Sequence, residues 1–556
     1  MLQELNQLGI ALEQDNKLTP IGFGECVCHW QINLPINNFA VLETPPKGDK
    51  GKPKFGQKTL VPDLRRNGDE TLLIDDGGEY VFGAGERGTK RHHLYLQLLE
   101  RCLQETNHEA VKAVYDFITN TTVEKITARL TEIYPPVANT DWCRDRFVFL
   151  FNGKQVTKIP AIQKWWSNYY ASKQDTVNGV CLLTGEQTPT MGRKMPMMVK
   201  SVPGAATTGA AISSFDKAAY QSHGWDGNIN APIGFESAVR FHKALDFLLN
   251  SHTNRYKLGE QVFVYWGEEE GEGINPEIWD NPSFESIFAS PHSPKKFNLE
   301  DIKSSKFYLV SLKGNKGRIS VSGWSEVTTQ KIKDSIGQFV QCQQVNNLSP
   351  SPMWMLCNSA FLNPSKEHTD RIATALVRAA FLGEALPDEY AYRIIDRICC
   401  EKEFRDFPSK SKQSRYFPRL QGLLLYLATN NMKYPTDNPK FNNAYTLGRI
   451  AFLMHQAQVD AQPGISQDNT NVMRSLKALS STPIQVFARL CHGCTHYHLE
   501  AGGKIKTKKL LTREFEKFDI YELREVLDLT SQSLFFQGWW QQRAEYFTKT
   551  VDEVDE

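Results

Sequence analysis

The sequence predicts an α+β fold: a mixed N-terminal region of strands and helices followed by a C-terminal α-helical bundle. Three observations carry that prediction. Alternating apolar runs with Asn-Gly and Asp-Gly turn signals gather in the first part of the chain, whereas from about Asp334 apolar residues recur at helical spacing to the end. Between these patterns, a glycine, alanine and threonine stretch at 201–214 follows neither period. The boundary is placed near residue 345, giving an α+β domain over 1–345 and a helical bundle over 346–556.

At 556 residues the chain is too long for one ordinary core, and roughly two to four domains are expected. Hydrophobic residues at 40% and charged residues at 23% are the composition of a soluble globular protein. A formal charge of +1 gives no global attraction to nucleic acid, so any such surface has to come from local clusters. Eleven cysteines without a regular framework are expected to be reduced thiols in a cytosolic protein. The opening MLQELNQLGIALEQDN is acidic and lacks an apolar run, so no signal peptide is expected. No window approaches the roughly 20 apolar residues of a membrane span. The expected location is the cytoplasm, with no membrane partner.

Taken in order, residues 2–14 place Leu2, Leu5, Leu8, Ile10 and Leu12 at near-helical spacing, and CVCHWQINL (26–34) alternates as a strand does. From Lys47 to Arg66, seven Lys/Arg stand against two acids, broken by Gly and Pro. That run is either a solvated loop or a phosphate-contacting one, since clustered cations release counterions when they neutralise a nucleic-acid backbone. Arg65, Arg66 and Asn67 are suited to base edges. LLIDDGGEYVFG (72–83) is expected to be a hairpin turning at Asp76-Gly77, with metal carboxylates the alternative use of Asp75 and Asp76. Two amphipathic helices follow between about 90 and 130, then a hairpin, RFVFLFNGKQV (146–156), turning at Asn152-Gly153. In the helix near 162–171, Trp165, Trp166, Tyr169 and Tyr170 either pack as core, the commoner use of such a stripe, or stack bases. Pro232 introduces a further helix, QVFVYWGEE (261–269) is a strand, and 306–324 is a hairpin with basic and glycine residues at its tip.

The 201–214 stretch, with Arg193, Lys194 and Lys200 upstream, has the composition of a shaped backbone surface, because Gly204 and Gly209 permit unusual φ and close approach. GAATTGAA (204–211) has GxxxxG spacing, but Ala210 and Ala211 stand where a P-loop needs Lys and Ser/Thr, which excludes a P-loop nucleotidase. No GxSxG, HExxH or paired His-Asp motif appears, so a binding module is expected rather than an enzyme, with no cofactor. CHGCTHYH (491–498) offers Cys491, Cys494, His496 and His498. On a helix three of these share a face while His496 points elsewhere, so one zinc cannot collect all four. Helix-packing thiols with solvent-facing histidines, and no metal, are expected there. Two alternatives stand beside the binding module: a metal-dependent nuclease using Asp75, Asp76 and a distant histidine, and a structural protein with zinc at 491–498.

The blocks CLLTGEQTP, KSVPGAATTGAAISSFDKAAYQSHG, NAPIGFESAVRFHKALDFLL and QVFVYW resemble the central signature of the large subunit of the type I-C CRISPR surveillance complex (Cascade), a Csd-type CRISPR-associated family. FYLVSLKGNKGRISVSGW is similar to the hairpin that follows it there. LVPDLRRNGDETLLIDDGGEYVFG resembles an earlier segment, and ALVRAAFLGEALPDEYAYRIIDRI, YTLGRIAFLMHQAQ and TPIQVFARL resemble C-terminal helices. The resemblance runs along nearly the whole chain, in order.

That resemblance implies a non-catalytic subunit recognising the protospacer-adjacent motif in duplex DNA, aiding R-loop formation, holding the displaced strand and offering a platform to a recruited helicase-nuclease. The implied partners are guide RNA, double-stranded target DNA, and the backbone, guide-processing and small subunits. Sequence specificity then lies in guide pairing. The match places motif and DNA contacts at Lys54, Lys58, Arg65, Arg66 and Asn67. The small-residue surface and its flanking cations are then expected to make guide-RNA or backbone-subunit contacts at Arg193, Lys194, Lys200, Gly204, Thr208 and Gly209. The basic run at Lys504, Lys506, Lys508 and Lys509, otherwise expected as a solvated loop, is expected to make displaced-strand contacts. Residues 432–556 resemble the separately translated small subunit, with Met432 as its start.

Overall fold

FVFLF at 147–151 is apolar at every position, as a strand covered on both faces must be. In the computed structural model, which describes residues 1–36, 38–41, 56–63, 68–133, 142–221, 223–252, 254–269, 305–343, 350–400, 413–432, 439–502 and 504–547, it is such a strand. The chain forms two compact units. The first comprises Met1–Ser201, Ala205–Phe247 and Lys316–Ile319; the second comprises Val202–Gly204, Leu248–Asn315 and Ser320–Glu556.

In the first unit, β1 (Phe23–Cys28) pairs antiparallel with β4 (Gln57–Pro62). A four-stranded sheet has the order β3 (Asn38–Val41), β2 (Trp30–Leu34), β5 (Phe147–Phe151), β6 (Lys154–Gln155), with β2 and β5 parallel, and β7 (Thr176–Val180) pairs antiparallel with β8 (Gln187–Met191). Phe147 and Phe149 enter a core with Trp30, Ile32, Trp166 and the helices Gly88–Thr106, Glu109–Thr119 and Val123–Ile133, while Val148 packs with Cys28 and Val61. The turn at Asn152-Gly153 is as predicted: both residues have positive φ, 49° and 79°, the geometry a two-residue hairpin demands. The aromatic stripe resolves toward core, with Trp166 fully buried and its Nε1 donating to the Gly22 carbonyl at 2.6 Å.

Three expectations are corrected. Residues 72–83 are not a hairpin: Asp75 and Asp76 are buried and hold main chain from inside, and Gly78–Val81 is a short helix. Asp75 accepts from the Phe149 amide at 2.9 Å, from Gln155 Nε2 at 2.8 Å and from the Thr157 hydroxyl; Asp76 accepts from the Leu72 and Gly77 amides. The 47–66 run is not one loop, because 57–62 is β4. Three helices rather than two fill 88–133, the first ended by Asn107 in the left-handed region at φ 47°.

The second unit holds the C-terminal helices and, apart from Arg318 and Ile319 of β12, a sheet of order β12 (Arg318–Thr328), β11 (Ser305–Asn315), β10 (Gln261–Glu269), β9 (Arg255–Leu258). Alternation puts Phe263 and Tyr265 of β10 and Phe307 and Leu309 of β11 into the same apolar core as those helices. This sheet therefore belongs with the helical bundle, and the unit containing the bundle starts well before residue 346. The helices Pro439–Ala461 and Leu529–Phe547 meet glycine to backbone: a Cβ on Gly448 would lie 1.9 Å from the Phe535 carbonyl oxygen, and one on Gly538 would lie 2.0 Å from that of Tyr445.

Candidate nucleic-acid interface

Small residues at 204–211 let one main chain lie against another, and this stretch does so. In the first unit, Val199 and Ala210 exchange amide–carbonyl bonds at 2.9 Å in each direction. Ala206 N donates to the Lys316 carbonyl at 2.7 Å, Ala211 N donates to that of Gly317 at 2.9 Å, and Ile319 N donates back to Ala211 at 2.9 Å. Thr207 and Thr208 form the exposed turn that Gly209 N closes onto the Ala206 carbonyl. Gly209 needs its glycine twice over: its φ is +103°, and a Cβ would come within 2.8 Å of Met198 Cβ. In the second unit, Gly204, at φ +76°, leaves no room for a Cβ beside the Gly314 carbonyl oxygen, 2.5 Å away.

The amides of Ala206, Gly209, Ala210 and Ala211 are thus all donated internally. These four amides therefore build a packed platform and are not left open as a cradle for a ligand. What that platform presents is cationic. Lys194, Lys200 and Lys316 are exposed; Lys194 and Lys316 have no acidic side-chain partner among the described residues, and Lys200 makes no ion pair there, though its charge lies near the Asp246 carboxyl. Arg193 is also exposed but pairs with Asp226 at 3.3 Å. Lys200 donates its amide to Asp246, a carboxyl that burial pushes up to about 6. Asp246 lies on the helix Phe235–Asn250, which also carries Lys243, whose ammonium is brought down to about 8 by burial and is held by Thr19 Oγ1 at 2.9 Å and by two carbonyls. Lys316 and Arg318, at the tip of the β11–β12 turn, were not among the sequence-predicted contacts. Arg318 is fixed by an ion pair with Asp216 and lies 5.8 Å over the Tyr220 ring, whereas Lys316 takes the left-handed φ of 53° and points no side-chain bond inward. The signal that marks them is KGNKGR, where a glycine-rich turn carries three cations.

Of the N-terminal candidates, Lys58 lies on β4, exposed and opposite the exposed Val27 of β1. Lys54, Arg65, Arg66 and Asn67 lie outside the described residues. The C-terminal run is not a loop: Lys504 caps the helix Ile505–Glu516 that carries Lys506, Lys508 and Lys509. Lys504 pairs with Asp460 at 3.0 Å and Lys506 sits 5.4 Å over the Tyr546 ring, which leaves Lys508 and Lys509 exposed and unpaired among the described residues. One helix therefore divides this run into two structural cations and two that face solvent.

At 491–498 the chain winds as a helix with a π-type turn over Cys494–His498. Burial pushes the Cys491 thiol up to about 12 and the Cys494 thiol up to about 11, so both are protonated near neutral pH. His492 and His496 are exposed with ring centroids 4.6 Å apart, but His498 is buried, a correction to the expectation of solvent-facing histidines throughout. No group of three or more His, Cys, Asp or Glu among the described residues is placed to hold a metal ion. Nor, among them, is any helix long and apolar enough to cross a membrane.

The platform is thus a hydrogen-bonded surface with solvent-facing cations. The class of protein is CRISPR-associated, and residues 5–547, nearly the whole chain, match the family described as CRISPR-associated protein (Cas_Csd1). The chain belongs to that family and so takes part in a CRISPR system. No curated protein matches the chain.

Proposed function

We propose that the chain is the non-catalytic large subunit of an RNA-guided type I-C surveillance complex in the cytoplasm. In this reading it recognises the protospacer-adjacent motif in duplex DNA, aids R-loop formation, holds the displaced strand and gives the helicase-nuclease a platform. The family match over 5–547 carries the proposal. Three further observations support it. Lys194, Lys200 and Lys316 stand exposed on a rigid scaffold, Lys508 and Lys509 face solvent from one helix, and Asp75 and Asp76 are occupied by internal donors rather than open to a metal. Exposed cations of this kind contribute affinity through counterion release and carry no base specificity of their own.

Within this reading, Arg65, Arg66 and Asn67 read the motif and Lys54 and Lys58 contact phosphate. Arg193, Lys194, Lys200 and Thr208 meet the guide or the backbone subunits. The test is co-purification with guide RNA and the neighbouring genes' products, followed by motif-dependent duplex binding across a salt series. Arg66→Ala and Asn67→Ala should weaken discrimination between motifs, whereas Lys54→Ala should weaken binding to every duplex and flatten the salt dependence. Normal binding by all three variants would refute the assignment of this segment. A divalent-metal cleavage assay on the isolated chain should show no product.

Translation from Met432 would give a polypeptide of residues 432 to 556. Met432 follows the helix Gln413–Thr429, precedes the helix Pro439–Ala461, and packs on Leu427, Tyr445 and Leu534. A start there cuts no described helix. Met432→Leu should abolish the short product in cells, and its persistence would sink the assignment.

A further inference from the structure

The helices Pro439–Ala461 and Ile484–Gly493 and the intervening segment enclose a cavity of about 290 Å³ in the second unit. Its floor is apolar: Met454, Val472, Leu490 and Cys494 are each 5% exposed or less. Its mouth is cationic, formed by Arg474 and Arg489. Both arginines are exposed, and neither has an acidic partner among the described residues. No Asp or Glu lines the cavity. Burial lowers the affinity of His498 for a proton, so that wall presents a neutral imidazole. The π-type turn of Cys494–His498 brings both of its end residues to the same cavity; such turns recur where a helix has to present a site. Gln458 is committed, its Oε1 accepting from the Asn471 amide at 2.7 Å. The Asn471 side chain and the Ser475 hydroxyl remain to meet a polar edge.

These features select a ligand. Two planar guanidiniums without counter-charge favour an oxyanion, and phosphate is the one they match in bidentate fashion. A bare phosphate would leave the apolar floor unfilled. The volume lies at the small end of the usual range for ligand pockets, enough for one ring system. We propose that this cavity binds a single nucleotide, its phosphate between Arg474 and Arg489 and its base against Met454, Val472, Leu490 and Cys494. The nucleotide is either free or one unit of a strand turned into the cavity. This inference stands on the lining alone and does not depend on the proposed role in target recognition. The cavity residues all fall within 432–556, so a product started at Met432 would carry the complete lining.

Calorimetric titration of the full chain with dTMP, thymidine and inorganic phosphate tests it. Saturable binding of one dTMP per chain is expected, with thymidine and phosphate each at least about tenfold weaker. Each of Arg474→Ala and Arg489→Ala should weaken dTMP about tenfold or more, the effect of losing one charge-assisted contact. Both side chains are exposed, so these variants should keep the parent's melting curve. Gly493→Phe keeps both arginines and fills the cavity; a Cβ there meets nothing within 4 Å, and it should abolish binding. Competition with a five-nucleotide oligothymidylate separates the sources: displacement of dTMP assigns the site to a strand, and failure to displace assigns it to a free nucleotide. Unchanged dTMP affinity in folded Gly493→Phe would overturn the proposal. Absence of saturable binding by both dTMP and the oligonucleotide would do the same.

Discussion

Replacing Arg449 with Met tests what holds the C-terminal helices together. The guanidinium is 6% exposed and meets Glu514, 1% exposed, through two parallel bonds: Nε to Oε2 at 2.9 Å and Nη2 to Oε1 at 3.1 Å. Its other edge donates to Glu545 at 3.0 and 2.6 Å. Breaking a buried pair from one side leaves the remaining charge uncompensated, at a cost of ~3–5 kcal/mol. Arg513 and Lys517, each about half exposed, also reach Glu514 Oε1, at 3.2 and 3.1 Å. Exposed pairs return little, so the expected loss is about 2–4 kcal/mol. Removing both charges with Arg449→Met and Glu514→Leu should bring stability back to within about 1 kcal/mol of the parent, because no buried charge is then left alone.

Urea unfolding of the full chain, followed by tryptophan fluorescence from the buried Trp539 and Trp540, measures both variants. The pH dependence gives a second readout. Burial pushes the Glu514 carboxyl up, but Arg449 outweighs it and holds the carboxyl below its ordinary value of 4.5. A depressed folded value means the pair stabilises above the unfolded value and loses that contribution as pH falls through the folded one. Arg449→Met should therefore flatten the acid limb of stability below about pH 4.5. A loss under about 1 kcal/mol, or a double variant no better than the single one, would refute this account.

Gly448→Ala and Gly538→Ala each drive a Cβ to about 2 Å from a facing carbonyl oxygen, so the two helices have to separate. Each should cost at least ~3 kcal/mol and show early proteolysis of the last helix; a melting curve like the parent's would contradict the contact. Burial raises Asp75 from 3.8 to about 6, so its stabilising contribution is full below pH 3.8 and is lost as pH rises through 6. Asp75→Asn should remove that slope from the melting temperature between pH 4 and 7, and an unchanged slope would place the titration elsewhere. Gly204→Val, at φ +76° and 2.5 Å from the Gly314 carbonyl oxygen, should destabilise by ~2–3 kcal/mol. Exhaustive dialysis against a zinc chelator should leave the melting temperature unchanged, and a drop of several degrees would establish a structural metal.

Short-range chemistry was legible from residues alone. The Asn152-Gly153 turn, the helical pattern from about Asp334 onward and the burial of Trp166 each follow from signals spanning a few positions, and the 181–266 blocks were enough to place the family. Asp75 was misplaced because its donors are remote: it takes its amide from Phe149, 74 residues further on, and its hydroxyl from Thr157, 82 residues on, whereas Asp76 accepts from the nearby Leu72 and Gly77 amides. Asp-Gly signals a turn locally, and only tertiary contacts can turn those carboxylates inward. Periodicity likewise found the strand 261–269 and the hairpin 306–324 but neither the strand Arg255–Leu258 nor the helices packed on the sheet, since alternation shows that a face is buried without showing what buries it. In the 201–214 stretch, composition indicated a shaped backbone surface open to close approach, without naming what approaches it. The structure decided that the partner of 205–211 is the tip of the β11–β12 hairpin, and that the amides are used there while the lysines face outward. The cavity between Arg474 and Arg489 has no sequence signature at all. Arg474 and Arg489 are fifteen positions apart on separate helices, and only the packing of those helices brings both to the lining of one cavity.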